Sequence, residues 1–129
     1  AILRMGVNGS RVDNISQGGI CCGVDADGRL KPVAYNYKGE SFDIHPTTGV
    51  HFSDVVIPNF DKIIQMVTET HPYIPDFRLV SWDVAMDEDG IPMLVEANLC
   101  YEELNLHQLC NGPIFGDNTQ LVLDEVFHR

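Results

Sequence analysis

The sequence predicts an α+β domain with a largely antiparallel sheet and packed helices. Three observations predict it. Apolar runs come in pairs joined by tight-turn signals, Asp25-Ala26-Asp27-Gly28 and Asp87-Glu88-Asp89-Gly90, as hairpins require. Helical patterns follow these pairs instead of alternating with single strands, so no βαβ series is present. The 129 residues are 44% hydrophobic, which suits one core, and no repeat, low-complexity segment or linker divides them.

The elements follow in order. Ile2 to Val7 reads as a strand. Asn8 to Gly19 is rich in Gly, Ser, Asn and Asp and reads as a loop. Ile20 to Val24 and Leu30 to Tyr37 are strands around the first turn. Phe42 to Val56 is irregular. Ile57-Pro58 opens a helix whose inward face is expected at Ile63, Ile64, Val67 and Thr68, and Pro72 ends it. Phe77 to Met86 and Ile91 to Ala97 are strands around the second turn, with Val80, Trp82 and Val84 on one face. Glu102 to Leu109 and Asn118 to Phe127 close the chain as helices, the latter with Leu121, Val122, Glu125 and Val126 in register.

Charge excludes whole classes of function. There are 19 Asp and Glu against 8 Lys and Arg, a net charge of −11. Nucleic acid and anionic membranes select a basic face, so neither is an expected partner. No apolar run approaches the roughly 18 residues of a membrane span, and no signal peptide opens the chain. Cys21 and Cys22 are neighbours, Cys100 and Cys110 stand apart, and no pair has zinc spacing. Reduced cysteines and a cytoplasmic location are expected, with Cys21 and Cys22 packing as small hydrophobes. Without a secretion signal, the acceptor triplets at Asn8 and Asn14 read as unmodified. His45, His51, His71, His107 and His128 are scattered; His107 reads more readily as a helix-surface or capping residue than as a substrate contact. Ser10 is in no nucleophile elbow. The two Asp-x-Asp-Gly turns lack the terminal Glu of a calcium loop.

The acids are concentrated. Asp83, Asp87, Glu88, Asp89, Glu96, Glu102 and Glu103 fall in one stretch without Lys or Arg. Asp87, Glu88 and Asp89 form the turn tip and are expected to be solvated. Glu96 and Asn98 are two apart and share a strand face, and the antiparallel partner brings Asp83 beside Glu96. Two carboxylates and an amide oxygen suit Mg²⁺ or Mn²⁺, with substrate phosphates completing the shell. Hairpin carboxylates are commonly just a solvated face. Against that, Asp83 and Glu96 interrupt runs that are otherwise apolar, and a buried carboxylate is costly unless paired or metal-bound.

The segment Trp82-Asp83-Val84-Ala85-Met86-Asp87, followed by Gly90-Ile91-Pro92-Met93-Leu94-Val95-Glu96-Ala97-Asn98, resembles the metal-binding hairpin of ATP-grasp ligases. Three further stretches resemble the sugar-transfer-associated branch of that superfamily. They are Leu3-Arg4-Met5-Gly6 with the loop from Gly9 to Gly19, His45-Pro46-x-Thr48-Gly49, and His107-Gln108-Leu109-x-Asn111-Gly112-Pro113-x-Phe115-Gly116-Asp117. The resemblance spans nearly the whole chain. It implies an ATP-dependent ligase joining a carboxylate to an amine through an acyl-phosphate, releasing ADP. It also implies ATP and Mg²⁺ (or Mn²⁺) as cofactors, and a nucleotide and a small-molecule or sugar-acid substrate as partners. Asp83, Glu96 and Asn98 would be the metal ligands. Arg4 would reach the transferring phosphoryl group as the catalytic cation, its planar fork suiting paired oxygens. Asn14, Gly18 and Gly19 would bind ATP or substrate.

The resemblance implies surface-polysaccharide biosynthesis as the setting. The Lys residues and lid that hold ATP in such ligases have no counterpart here, so residues 1–129 are expected to be the C-terminal part of an ATP-grasp domain, inactive alone. The start at Ala1 without Met, and the helical pattern still running at the end, agree with that expectation. Where some ATP-grasp families carry an Arg two residues past the ligand Asn, this chain has Cys100. The competing expectation is a non-catalytic binding or scaffold module that keeps the fold.

Overall fold

A computed structural model describes residues 1–100 and 104–127. Its first sheet takes β1 (Ile2–Met5), β2 (Ile20–Val24), β3 (Leu30–Asn36) and β4 (Ser41–Phe42) in sequence order, every pairing antiparallel. A second sheet is the antiparallel hairpin of β5 (Ser81–Met86) and β6 (Pro92–Asn98). Three helices complete it: α1 (Phe60–Thr70), α2 (Leu104–Asn111) and α3 (Thr119–Phe127). The α+β class with antiparallel pairing is as the sequence predicts.

Strand β2 explains the arrangement. Its five residues are all buried, because it has a strand on each side and cover on each face. Ile20, Cys22 and Val24 point one way, into a core with Leu30, Ala34, Phe52 and Phe60. Cys21 points the other way, to Ile15 on the 3₁₀ turn Ile15–Gln17 and to Cys110 on α2. Two faces served by one strand give a continuous apolar run instead of alternation. Each large side chain removed from water here contributes roughly 1.5–3 kcal/mol. Gly23, on the Cys21 face, lets α2 come down on the strand: an added Cβ would lie 2.8 Å from Cys110 O.

Both turns form as read. Gly28 and Gly90 take φ of +84° and +73°, which a side chain resists. Asp87 differs from its expected role as a solvated tip residue. Its Oδ1 accepts from the N–H groups of Asp89 (3.0 Å) and Ile91 (2.7 Å), so it builds the turn.

Other readings shift. Helix α1 starts at Phe60, after Asn59 in the left-handed region, and its inward stripe is Phe60, Ile63, Val67 and Thr70. Ile64 and Thr68 are exposed; insertion of Phe60 into the core sets the helix rotation and turns them out. Residues 77–80 are not strand. Strand β6 ends at Asn98 opposite Ser81, so among the described residues no strand pairs with them, and His71 Nε2 instead holds Phe77 O at 2.8 Å. The start expected for the second helix, Glu102, and Glu103 and His128 lie outside the described residues. In α3, Val122 and Glu125 are half-buried, while Leu121 and Val126 are exposed; Glu125 pairs with Arg78.

Candidate metal and phosphate site

An open cleft of about 400 Å³ lies where the first sheet, the hairpin and α2 meet. Ile2 and Arg4 of β1, Asn14, Ile15 and Ser16 of the loop, Ser81 and Asp83 of β5, and Leu106 and His107 of α2 line it, with Tyr37, Asn98 and Cys100. Strand alternation puts Arg4 there: Leu3 and Met5 pack on the core, so Ile2 and Arg4 face the other side, with Arg4 opposite Cys21.

The hairpin register pairs Asp83 with Glu96 and Ser81 with Asn98. Directly paired residues have Cβ atoms about 4.5–5.5 Å apart, close enough for two carboxylates to reach one ion. Immediately beyond, Val84 pairs with Leu94, which leaves Val95 as the extra residue of a bulge. Bulges re-aim side chains, and this one resets the alternation between Leu94 and Glu96. Among the described residues no three His, Cys, Asp or Glu side chains form a metal cluster. The candidate set is therefore two carboxylates and an amide, a hard-oxygen set that fits Mg²⁺ or Mn²⁺ completed by phosphate oxygens.

Burial does not force a cation on this set. Asp83 keeps 30% of its side-chain surface and Glu96 is exposed, as are Met93, Leu94 and Val95 around it. Although Asp83 and Glu96 interrupt apolar runs, neither is fully buried, because among the described residues β6 pairs on one side only and little covers its faces. Glu96 is not among the lining residues of the cleft. It has no protein donor or cation partner among the described residues.

Arg4 is the cation of the lining. Its Nε is ion-paired with Asp13 Oδ2 at 3.1 Å, and its Nη2 donates to Asp83 Oδ2 at 3.2 Å. One guanidinium thus bridges the loop and the hairpin, with edges in solvent.

The loop is held by its own side chains. Asn14 Oδ1 accepts from Ser16 N at 3.2 Å and Ser16 Oγ at 2.9 Å, capping the Ile15–Gln17 turn. Gly18 ends that turn at φ +98°. At Gly19 a Cβ would meet Asp13 O at 2.5 Å, so the backbone closes on itself there. Gly18 and Gly19 do not line the cleft; they fold the loop that presents Asp13 and Asn14.

His45 is structural here. Its Nδ1 accepts from Thr47 N (3.3 Å) and Thr48 N (3.2 Å), so Nε2 carries the proton and donates to Gly6 O at 3.2 Å. His107 is the residue that the sequence reading underweighted. It is half-buried in the cleft; burial lowers its pKa below the usual 6.5, and Asp83 pulls the other way. Leu106 and Cys110, four apart and packed inward, marked the buried stripe beside which His107 lies. Asp13 carried no such signal.

Among the described residues no helix is long and apolar enough to cross a membrane. No curated protein and no solved structure matches the chain. The sequence pattern of one family, described as sugar-transfer associated ATP-grasp, matches residues 1–122, nearly the whole length over which this cleft, its hairpin and its arginine are built. The chain belongs to the sugar-transfer associated ATP-grasp family.

Proposed function

We propose that this chain is the metal-holding, C-terminal part of an ADP-forming carboxylate–amine ligase that acts on a sugar acid in cell-surface polysaccharide assembly. The observation that carries the reading is the hairpin register, Asp83 opposite Glu96 with Asn98 two residues on. Family membership supports the nucleotide and the reaction class.

Asp83, Glu96 and Asn98 would hold Mg²⁺ or Mn²⁺, which when bound neutralises phosphate charge and orients the transferring phosphoryl group. The chain's own residues do the rest. Arg4 is ion-paired with Asp13 and Asp83, and its fork would suit phosphate oxygens once Asp83 served the cation. Asn14 spends its carbonyl on the loop and keeps its amide nitrogen as a donor. His107, half-buried in the cleft and with its pKa lowered by burial, would face the incoming amine. ATP's adenine site would lie outside residues 1–129.

ADP release by the full-length protein, with Mg²⁺ and panels of sugar acids and amino acids, tests the reading. Release that requires both an acid and an amine, and is lost in Asp83→Asn, is expected. Nucleotide should also tighten Mn²⁺ binding. A metal affinity indifferent to nucleotide, with no ADP released for any pair, leaves the scaffold module standing and the ligase reading overturned.

A further inference from the structure

Cys21 and Cys110 are 89 residues apart in sequence, yet their sulfurs lie 3.2 Å apart beneath the cleft. Both are free thiols; Cys21 is fully buried and Cys110 is 7% exposed. The contact joins two elements that build the site. Cys21 is the register partner of Arg4, and Cys110 lies one turn after His107 on α2. Gly23 lets the helix approach, since a Cβ there would lie 2.5 Å from Asn111 Oδ1.

The neighbouring thiol has a different fate. Cys22 points to the opposite core, donates to Lys31 O at 3.1 Å, and is pushed up to about 11 by burial. Cys21 is shifted the other way: the hydrogen bond it shares with Cys110 lowers its pKa, and the Cys110 thiol is raised. Of these two adjacent cysteines, Cys21 has a second sulfur in contact and the more accessible thiolate state.

We propose that Cys21 and Cys110 are an oxidisable pair, closed to a disulfide by hydrogen peroxide, that clamps α2 to the sheet beneath the cleft. The Cys21 thiolate attacks one peroxide oxygen, the O–O bond breaks, and hydroxide leaves and takes up the proton that Cys21 lost. The Cys110 sulfur then attacks the Cys21 sulfur of the sulfenic acid. An S–S bond forms, the S–O bond breaks, and the hydroxyl leaves as water with the Cys110 proton. Two thiols and one peroxide become one disulfide and two waters. A small neutral oxidant is required because Cys21 has no exposed surface. A disulfide is about 2.05 Å long, so the sulfurs close by about 1 Å, a shift that a side-chain-packed helix can make.

The full-length protein is first alkylated while folded, which caps the exposed Cys100. It is then treated with hydrogen peroxide, quenched, denatured, alkylated with a second reagent and mapped by peptide mass spectrometry. A Cys21–Cys110 linked peptide is expected, with Cys22 recovered as a free thiol. The melting temperature should rise on the order of 10 °C, because the link closes a long loop, and fall back with dithiothreitol. Cys110→Ala should show neither change. Recovery of Cys21 and Cys110 both unlinked after peroxide, or a Cys21–Cys22 link, overturns the pairing. A Cys21–Cys110 link that leaves the melting temperature unmoved overturns the clamp.

Discussion

Arg4 donates from Nη2 to Asp83 Oδ2 at 3.2 Å across 79 residues of sequence, and the same guanidinium holds Asp13 through Nε. This fork couples the four-stranded sheet, the Asn8–Gly19 loop and the hairpin that carries the candidate ligands. It also sets a competition: one Asp83 oxygen serves Arg4, and the proposed cation needs that carboxylate. Arg4 would therefore exchange partners when metal and phosphate arrive together.

Removal of Arg4 should separate metal binding from turnover. Arg4→Gln frees Asp83 and is expected to raise Mn²⁺ affinity without nucleotide, by no more than about fivefold, since exposed pairs are weak. The same variant should lose about 100-fold in ADP release, because the cation that meets phosphoryl charge is gone. Titration calorimetry and a coupled ADP assay on the full-length protein read the two effects. Weaker Mn²⁺ binding in Arg4→Gln would contradict the competition.

Glu96→Gln should cut kcat by at least roughly 100-fold while leaving the melting temperature nearly unchanged. Glu96 is exposed and holds no partner within the described residues, so its loss disturbs little packing. Turnover close to that of the unaltered protein would remove Glu96 from the ligand set.

His107 should make stability pH-dependent on the acid side. Its folded pKa is lowered below 6.5 by burial. The unfolded chain therefore binds a proton first as pH falls, so stability is full above about pH 6.5 and declines as pH drops through and below it. Denaturant midpoints between pH 7.5 and 5 should fall less in His107→Gln than in the parent. Equal slopes would mean that His107 is as solvated as a free imidazole.

Gly19→Ala should destabilise by about 1–3 kcal/mol, because the new methyl meets the Asp13 carbonyl at 2.5 Å and the backbone must yield. Since that loop presents Asp13 and Asn14, ADP release should fall too. A variant with parental stability in denaturant titration would show the loop to be looser than this contact requires.

Much of the fold was legible from local chemistry. Asp-Gly turns, apolar runs and a proline stop act within a few residues, and β2 and β3, both hairpins and the three helices stand close to where those signals put them. The pairing of Asp83 with Glu96 was legible too, because a tight turn fixes the register of the strands that it joins. The face of α1 was not: Phe60 fits a cavity formed by distant residues, and that fit sets the helix rotation.

By itself the sequence determined the α+β class, the hairpin that brings two carboxylates together, and the family resemblance in the residues around them. Only the tertiary structure decided that Arg4 meets Asp83, that His107 enters the cleft, that Glu96 stays exposed, and that Cys21 touches Cys110. The division has a physical cause. Turn geometry and alternation are properties of the local backbone, whereas these contacts join residues 79 or more apart, or depend on which surfaces stay uncovered after packing.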